Sequence, residues 1–262
     1  MWQSATVRIP SRILAALLVS TGCSNHNKLW ELVHACDTPS APGCAPMAGG
    51  YAALQACEAS AAPGQQCVAT GPRDAVMKDI HGRLQYLLLP RARRTGIESP
   101  ELLAPGEPDY WEDAWAARSY MEGRAGRVIP RDDVALSVNS ADARSQDQLH
   151  IHIDCLRPDV RDLLRRHAAE ITERWTPLVE PLSGHTYQVR RAVSLTPDPF
   201  RLLADGVPGA REGMQHYTLV VTGTTFADGT EGWFILADHA SGLDRAHGEE
   251  LQDQDCRILD SK

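Results

Sequence analysis

The sequence lacks three features that would indicate particular classes of protein. It has no run of about 20 apolar residues, the length that a helix needs to cross a bilayer, so a multi-pass membrane protein is not predicted. Its 26 Lys and Arg residues are outnumbered by 34 Asp and Glu residues, and the net charge of −8 argues against a nucleic-acid partner. None of its seven cysteines forms a CxxC pair, so a zinc site of cysteines is a weak interpretation. What remains is a globular chain of 262 residues, 43% hydrophobic, which is enough for a substantial core.

The first 23 residues have the composition of an export signal. Arg8 and Arg12 precede a short apolar stretch at residues 13–19, and small residues then lead to Cys23. The apolar stretch is too short to span a bilayer, and a cysteine in this setting resembles a bacterial lipoprotein processing site. A cleaved signal and a lipid on Cys23 both stay open. Either one predicts an extracytoplasmic, periplasmic protein associated with the inner membrane.

The six other cysteines are an even number, which is typical of a disulfide framework in an oxidising compartment. Four of them lie in a partial internal repeat, LVHACDTPSAPGC and ALQACEASAAPGQQC, which predicts that each copy closes its own short loop. The predicted disulfides are Cys36–Cys44, Cys57–Cys67 and Cys155–Cys256. Six cysteines allow about 15 pairings, so the connectivity stays open at this point.

Three segments are expected: the signal at residues 1–23, a Cys-, Pro- and Ala-rich extension at 24–75, and the main domain at 76–262. The extension is dominated by loop-forming residues, with one short helix near Lys28–Ala35. Apolar spacing in the main domain predicts strands at Leu84–Leu89, Val134–Val138, Leu149–Ile153, Tyr187–Val193, Tyr217–Thr222 and Trp233–Ala237. It predicts helices at Glu112–Met121, from Pro158 towards Trp175, and in the interrupted segment Pro199–Met214. This order favours an α+β fold with a mainly antiparallel sheet and flanking helices.

The most informative segment is Gln148–Cys155, which alternates apolar and polar residues with the period of a strand. Its apolar residues are predicted to face a core, while His150 and His152 share the opposite face, about 6 to 7 Å apart. One histidine of such a pair can act as a nucleophile while the other assists it. The pair can also bind a metal ion, with Asp154 as a third ligand.

This strand and several other motifs together resemble a known family. The motifs are LQYLLLP at 84–90, GIESPELL at 96–103, VALSVNS at 134–140, QDQLHIHIDCLRPDVR at 146–161 and GHTYQVRR at 184–191. In this order they resemble bacterial CDP-diacylglycerol diphosphatases, and the alternation of histidine with apolar residues resembles the wider histidine-triad superfamily. The resemblance runs from about residue 78 to the C-terminus. It implies a histidine-triad-like fold for the catalytic domain at 76–262.

The resemblance also implies a reaction and its nucleophile. The family hydrolyses the pyrophosphate bond of CDP-diacylglycerol to CMP and phosphatidate, and the superfamily forms a nucleotidyl-histidine intermediate. His150 falls on the superfamily's nucleophile and His152 on the last histidine of its triad. Gln148 stands where the first histidine is expected, which is a departure from the three-histidine pattern.

The predicted substrate-binding residues lie at the start of the histidine strand and in the polar segment before it: Gln148, Asn139, Ser145 and Arg144. No cofactor and no metal ion are expected. The expected partners are CDP-diacylglycerol and a membrane surface, with a homodimer as one possible assembly. Two alternatives stay open, namely nucleotidyl transfer to an acceptor other than water and a non-enzymatic metal- or lipid-binding module outside the cytoplasm.

Overall fold

The computed structural model describes residues 25–36 and 67–260. The predicted signal at residues 1–23 and the cysteines Cys44 and Cys57 lie outside these described residues. In the described part, nine strands form one sheet in which every neighbouring pair is antiparallel, and four α-helices flank it. The predicted α+β class and mainly antiparallel sheet are therefore confirmed.

The sheet contains nine strands, and β5 lies near its middle. The strands are β1 Cys67–Thr70, β2 Asp74–Lys78, β3 Tyr86–Pro90, β4 Val134–Val138, β5 Ile151–Cys155, β6 Thr176–Pro177, β7 Gln188–Ala192, β8 Tyr217–Thr225 and β9 Glu231–His239. The helices are α1 Lys28–Ala35, α2 Tyr110–Ala125, α3 Pro158–His167 and α4 Pro199–Gly206. The sheet order is β1-β2-β3-β5-β4-β8-β9-β7-β6. Strands β4 and β5, which follow each other in the chain, form an antiparallel pair.

Several predicted elements are shorter than their apolar spacing suggested, among them the helix after Pro158 and the histidine strand. The helix that begins at Pro158 ends at His167, and Trp175 lies beyond it, with its indole N–H donating to the carbonyl of Leu202. The histidine strand begins at Ile151 instead of Leu149. Leu149 N–H donates to the carbonyl of Arg94, so the chain enters the sheet only after this residue.

The first face of the sheet carries the larger apolar core. Ile151 and Ile153 of β5 lie in this core with Trp111 and Met121 of α2 and Phe200 of α4, all essentially buried. Helix α2 begins after Asp109, whose carboxylate accepts hydrogen bonds from the first-turn amides of Trp111 and Glu112. This capping satisfies amides that have no partner within the helix. Helix α2 therefore lies on the face of the sheet opposite the histidines of β5.

The second face of the sheet is covered at its two ends and polar between them. Val33 of α1 packs on Leu87 and Leu89 of β3, and α3 packs on β4, β8 and β9 further along. Ser137 and His152 lie opposite each other between these two clusters. The polar strip is therefore bounded by α1 on one side and α3 on the other.

The disulfides correct part of the prediction. Cys155–Cys256 is present as predicted, whereas Cys36 pairs with Cys67, so the predicted Cys36–Cys44 and Cys57–Cys67 are wrong. The repeat suggested local loops, but α1 packs on the second face of the sheet, next to β1, and brings Cys36 to Cys67. Strand β1 and the first residues of β2 lie within the segment expected as the extension. Disulfides indicate an oxidising environment outside the cytoplasm.

The residues that the structure describes include four α-helices. None of the helices there has both the length and the apolar character to cross a bilayer.

Candidate active site

A pocket of about 520 Å³ opens on the polar strip of the second face. His150 and His152 both line it, and their ring centroids lie 4.7 Å apart. The two side chains are 8% and 5% exposed, so they are mostly withdrawn from water. The predicted pairing of the two histidines on one face therefore agrees with their position in the structure.

The main chain fixes the ring of His150. Its Nδ1 lies 2.6 Å from the carbonyl oxygen of Gln148, and because a carbonyl can only accept, Nδ1 carries the proton. Burial and the neighbouring His152 lower the pKa of His150 to about 4. The ring is thus neutral near pH 7, with a lone pair on Nε2.

His152 has a different set of partners. Its Nδ1 lies 3.1 Å from Glu249 Oε1, 2.9 Å from Gln85 Nε2 and 3.8 Å from Asp79 Oδ2. Its Nε2 is buried and has no hydrogen-bond partner within the described chain. The amide of Gln85 and the carboxylate of Glu249 hold the Nδ1 side of the ring, which leaves Nε2 as the nitrogen that can contact a ligand.

Glu249 anchors the carboxylate side of this arrangement. Its side chain accepts hydrogen bonds from Asn139 Nδ2 at 2.6 Å and Gln85 Nε2 at 3.0 Å, and His247 Nε2 lies 3.2 Å away. Burial opposes its ionisation, but the charge of His152 and these hydrogen bonds outweigh burial and hold the pKa of Glu249 well below its usual range. A buried, ionised carboxylate therefore stands beside His152.

The turn that carries Glu249 lies directly on the sheet. Gly248 begins the 3₁₀ turn Gly248–Leu251, and a Cβ at this position would collide with Thr218 and touch Val220 of β8. Only glycine allows the turn to approach the strand so closely. This contact brings Glu249 from the C-terminal segment onto the histidine strand.

The four predicted substrate-binding residues divide into two pairs. Asn139 and Ser145 line the pocket beside His150. The guanidinium of Arg144 instead pairs with Glu98 and Asp147, and the residue is not in the pocket lining. The Gln148 side chain is fully buried and donates to the main-chain carbonyls of Pro90 and Ala92. The ring of His150 is held instead by the main-chain carbonyl of Gln148.

The end of the pocket next to α1 is apolar. Leu29 and Leu32 of α1 line it together with Met77, Ile80 and Leu87. The β4–β5 connection holds α1 in place, because Leu29 N–H donates to Gln146 Oε1 at 3.0 Å. One pocket thus contains both histidines and an apolar end next to α1.

Comparison with known proteins identifies the family of this chain. The model of the CDP-diacylglycerol pyrophosphatase family matches residues 24–260. The chain belongs to this family. A CDP-diacylglycerol pyrophosphatase of Yersinia pestis is 46% identical over 190 residues, which cover 71% of this chain and 72% of that protein. The matched range begins at residue 24, well before residue 78, so it includes the cysteine-rich segment.

Sequence reasoning missed several residues that contact His152 in or beside this pocket. Glu249, Gln85 and Asp79 all contact His152, although they lie 67 or more residues away from it in the chain. The segment around His247 and Glu249 concentrates donors and acceptors where no strand or helix is predicted. That concentration is the one signal that could have indicated a functional turn.

The predicted metal alternative used His150, His152 and Asp154. Two groups of three possible metal-binding side chains occur among the described residues, and neither contains His150 or His152. One group is Asp154 with Cys155 and Cys256, but the two sulfurs are bonded to each other and cannot act as thiolate ligands. Burial raises the pKa of Asp154 well above its usual range, which favours a neutral carboxyl.

Proposed function

We propose that His150 is the nucleophile with which this chain hydrolyses the pyrophosphate bond of CDP-diacylglycerol. Membership of the family makes the chain a hydrolase of this bond. The observation that supports the nucleophile is the hydrogen bond from Nδ1 to the Gln148 carbonyl, which leaves a lone pair on Nε2 of a neutral ring in the pocket. A neutral imidazole with a fixed tautomer can attack phosphorus near neutral pH.

The proposed reaction has two displacements. Nε2 of His150 forms a bond to the phosphorus that carries cytidine, and the bond from that phosphorus to the bridging oxygen breaks, releasing phosphatidate. Water then attacks the same phosphorus, the P–N bond breaks and CMP leaves, with a proton released to solvent. Covalent catalysis of this kind divides one difficult hydrolysis into two easier steps. The scheme matches the proposed relationship to the histidine-triad superfamily.

We assign phosphate binding to His152. Nε2 of His152 is buried without a partner, and Glu249, 3.1 Å from Nδ1, orients the ring so that an N–H at Nε2 can donate to a phosphoryl oxygen. Asn139 and Ser145 line the same part of the pocket and offer further hydrogen-bond donors. Arg144 and the Gln148 side chain support the site through their contacts with the surrounding loops, since both are engaged away from the pocket.

The apolar end of the pocket suits the lipid part of the substrate. Leu29 and Leu32 can contact an acyl chain, and Lys28 lies beside them as a cation for a phosphate. Helix α1 follows the predicted signal closely in sequence, so a lipid on Cys23 or a membrane-bound signal would hold the pocket near the bilayer. The proposal also includes association of the protein with the inner membrane and assembly as a homodimer.

Trapping the intermediate tests the nucleophile. The full chain is mixed with CDP-diacylglycerol, quenched within milliseconds and digested, and the peptides are measured by mass spectrometry. We expect a cytidylyl adduct on His150 in the wild type, still present in His152→Gln and absent in His150→Ala. An adduct on His152, or one that persists in His150→Ala, would contradict the assignment.

A further inference from the structure

A second cluster of histidine and carboxylates lies on the sheet, beyond the catalytic pocket. His185 is on a turn that pairs with Leu182, Asp238 is near the end of β9, and Asp244 is on a turn that pairs with Ser241. One donor atom from each of the three residues lies within 4.8 Å of the other two. Three separate segments therefore converge on one point.

The distances in this cluster suit a shared ion. His185 Nδ1 lies 2.5 Å from Asp244 Oδ2 and 4.0 Å from Asp238 Oδ2. Two ligand atoms on one ion, each at about 2.1 Å from it, are separated by about 3 to 3.5 Å. The two observed distances bracket this separation, so small side-chain rotations would bring all three atoms onto one ion.

Asp238 has an unsatisfied oxygen at this point. The residue is 7% exposed, and its Oδ2 is buried without a hydrogen-bond partner in the described structure. A buried carboxylate beside a second carboxylate needs a compensating positive charge.

The other side of the His185 ring faces a carboxylate as well. His185 Nε2 lies 3.8 Å from Glu250 Oε2, and Tyr187 donates its hydroxyl to Glu250 Oε1 at 2.7 Å. Histidines that bind metal through one nitrogen are commonly oriented by a carboxylate at the other nitrogen. Glu250 has the position of such an orienting residue.

We propose that His185, Asp238 and Asp244 bind one divalent transition-metal ion, such as Zn²⁺ or Mn²⁺. One imidazole and two carboxylates form a mixed donor set that both ions accept. All three residues line a pocket of about 750 Å³, which leaves room for water or an anionic ligand on the ion. The site does not depend on the proposed role of His150.

Another histidine provides a matched control. His167 also contacts two carboxylates, with Nδ1 3.2 Å from Glu170 and Nε2 3.0 Å from Glu180. Here each nitrogen has its own exposed carboxylate, so the three groups do not converge on one point. Charge around a histidine is similar in the two places, but only the His185 cluster has convergent donors.

Metal titration tests the proposal. The untagged full chain, treated with chelator under non-reducing conditions, is titrated with Zn²⁺ and Mn²⁺, and Co²⁺ is used as a spectroscopic probe. We expect one ion bound at this site in the wild type and in His167→Gln. Asp238→Asn and Asp244→Asn should each weaken binding about 100-fold and remove the visible Co²⁺ absorption of the site.

Two results would overturn the metal site. One is the absence of binding in the wild type, which would indicate that a protonated His185 alone compensates the two carboxylates. The other is unchanged affinity in Asp238→Asn and Asp244→Asn. Circular dichroism and retained CDP-diacylglycerol hydrolysis check the fold of each variant. If Asp238→Asn does not fold, the less buried Asp244 carries the test.

Discussion

The two pockets hold histidines in opposite electrostatic environments. His150 is buried, bonded to a main-chain carbonyl and close to another imidazole, and its pKa falls to about 4. His185 is partly exposed among three carboxylates, and the hydrogen bond and charge of Asp244, with its other acidic neighbours, raise its pKa despite some burial. Adjacent residues of one turn serve the two places, because Glu249 faces His152 and Glu250 faces His185.

The partner of a histidine, more than its position on the sheet, therefore decides its chemistry. A carbonyl fixes the tautomer without adding charge, so the ring keeps a lone pair for attack on phosphorus. Carboxylates stabilise a cation, which can be the protonated ring or a metal ion. The same side chain is therefore suited to nucleophilic attack in one pocket and to charge compensation in the other.

The largest expected difference is in catalysis. His150→Ala should lower kcat/KM for CDP-diacylglycerol by at least about 10⁴-fold, because removing a nucleophile eliminates the covalent route. His185→Gln should lower it by less than about tenfold, since this ring does not line the catalytic pocket. Steady-state release of CMP measures both. Equal losses in two folded variants would break the distinction between the pockets.

The pH dependence of stability should have opposite signs at the two histidines. The folded-state pKa of His150 is about 4, below an unfolded value of about 6.5, so its stabilising contribution is present above pH 6.5. About 3 kcal/mol of it is lost as the pH falls from 6.5 through 4. The pKa of His185 is raised, so its contribution is complete below pH 6.5 and is lost as the pH rises through the folded value.

Urea unfolding between pH 4 and pH 8, with chelator present, measures these contributions. His150→Gln should flatten the decline of the free energy of unfolding on the acidic side. His185→Gln should flatten the decline on the alkaline side of pH 6.5. The same pH profile in both variants and the wild type would show that neither ring has the environment described.

Local structure was predictable from sequence where it depends on local pattern. Helix α1 and strand β4 have the predicted bounds, Lys28–Ala35 and Val134–Val138, because apolar spacing and flanking residues define them. The histidine face of β5 was also predictable, since side chains alternate along a strand. Cys155–Cys256 was predicted correctly, whereas the pairing of Cys36 was not.

What sequence could not supply are contacts across the fold. The partner of Cys36 depends on where α1 packs, and a repeat pattern contains no information on that packing. Glu249 reaches His152 only because Gly248 allows its turn to lie on β8. Arg144 was a candidate for the substrate because it is basic and near the histidines in sequence, but Glu98 lies close enough in the fold to pair with it.

The adjacent glutamates offer a finer comparison of the pockets. Glu249→Gln should lower kcat about 100-fold, because it removes the ionised carboxylate that contacts and orients His152. Glu250→Gln keeps the same size on the same turn and should cost less than tenfold. Similar losses in both variants would indicate a role for the turn as a whole.

The smallest expected effect concerns the apolar end of the catalytic pocket. Leu32→Ser should raise KM for long-chain CDP-diacylglycerol about tenfold, because removing a partly buried leucine costs about 1.4 kcal/mol of apolar contact. The variant should leave kcat nearly unchanged, since Leu32 offers no polar group to the reacting phosphate. Leu243→Ser is the matched control, because this fully exposed leucine lies on the Asp244 turn beside the second pocket. A soluble short-chain substrate should show no difference between the two variants. If Leu32→Ser changed KM equally for long and short chains, the apolar end would serve the stability of α1 instead of contact with lipid.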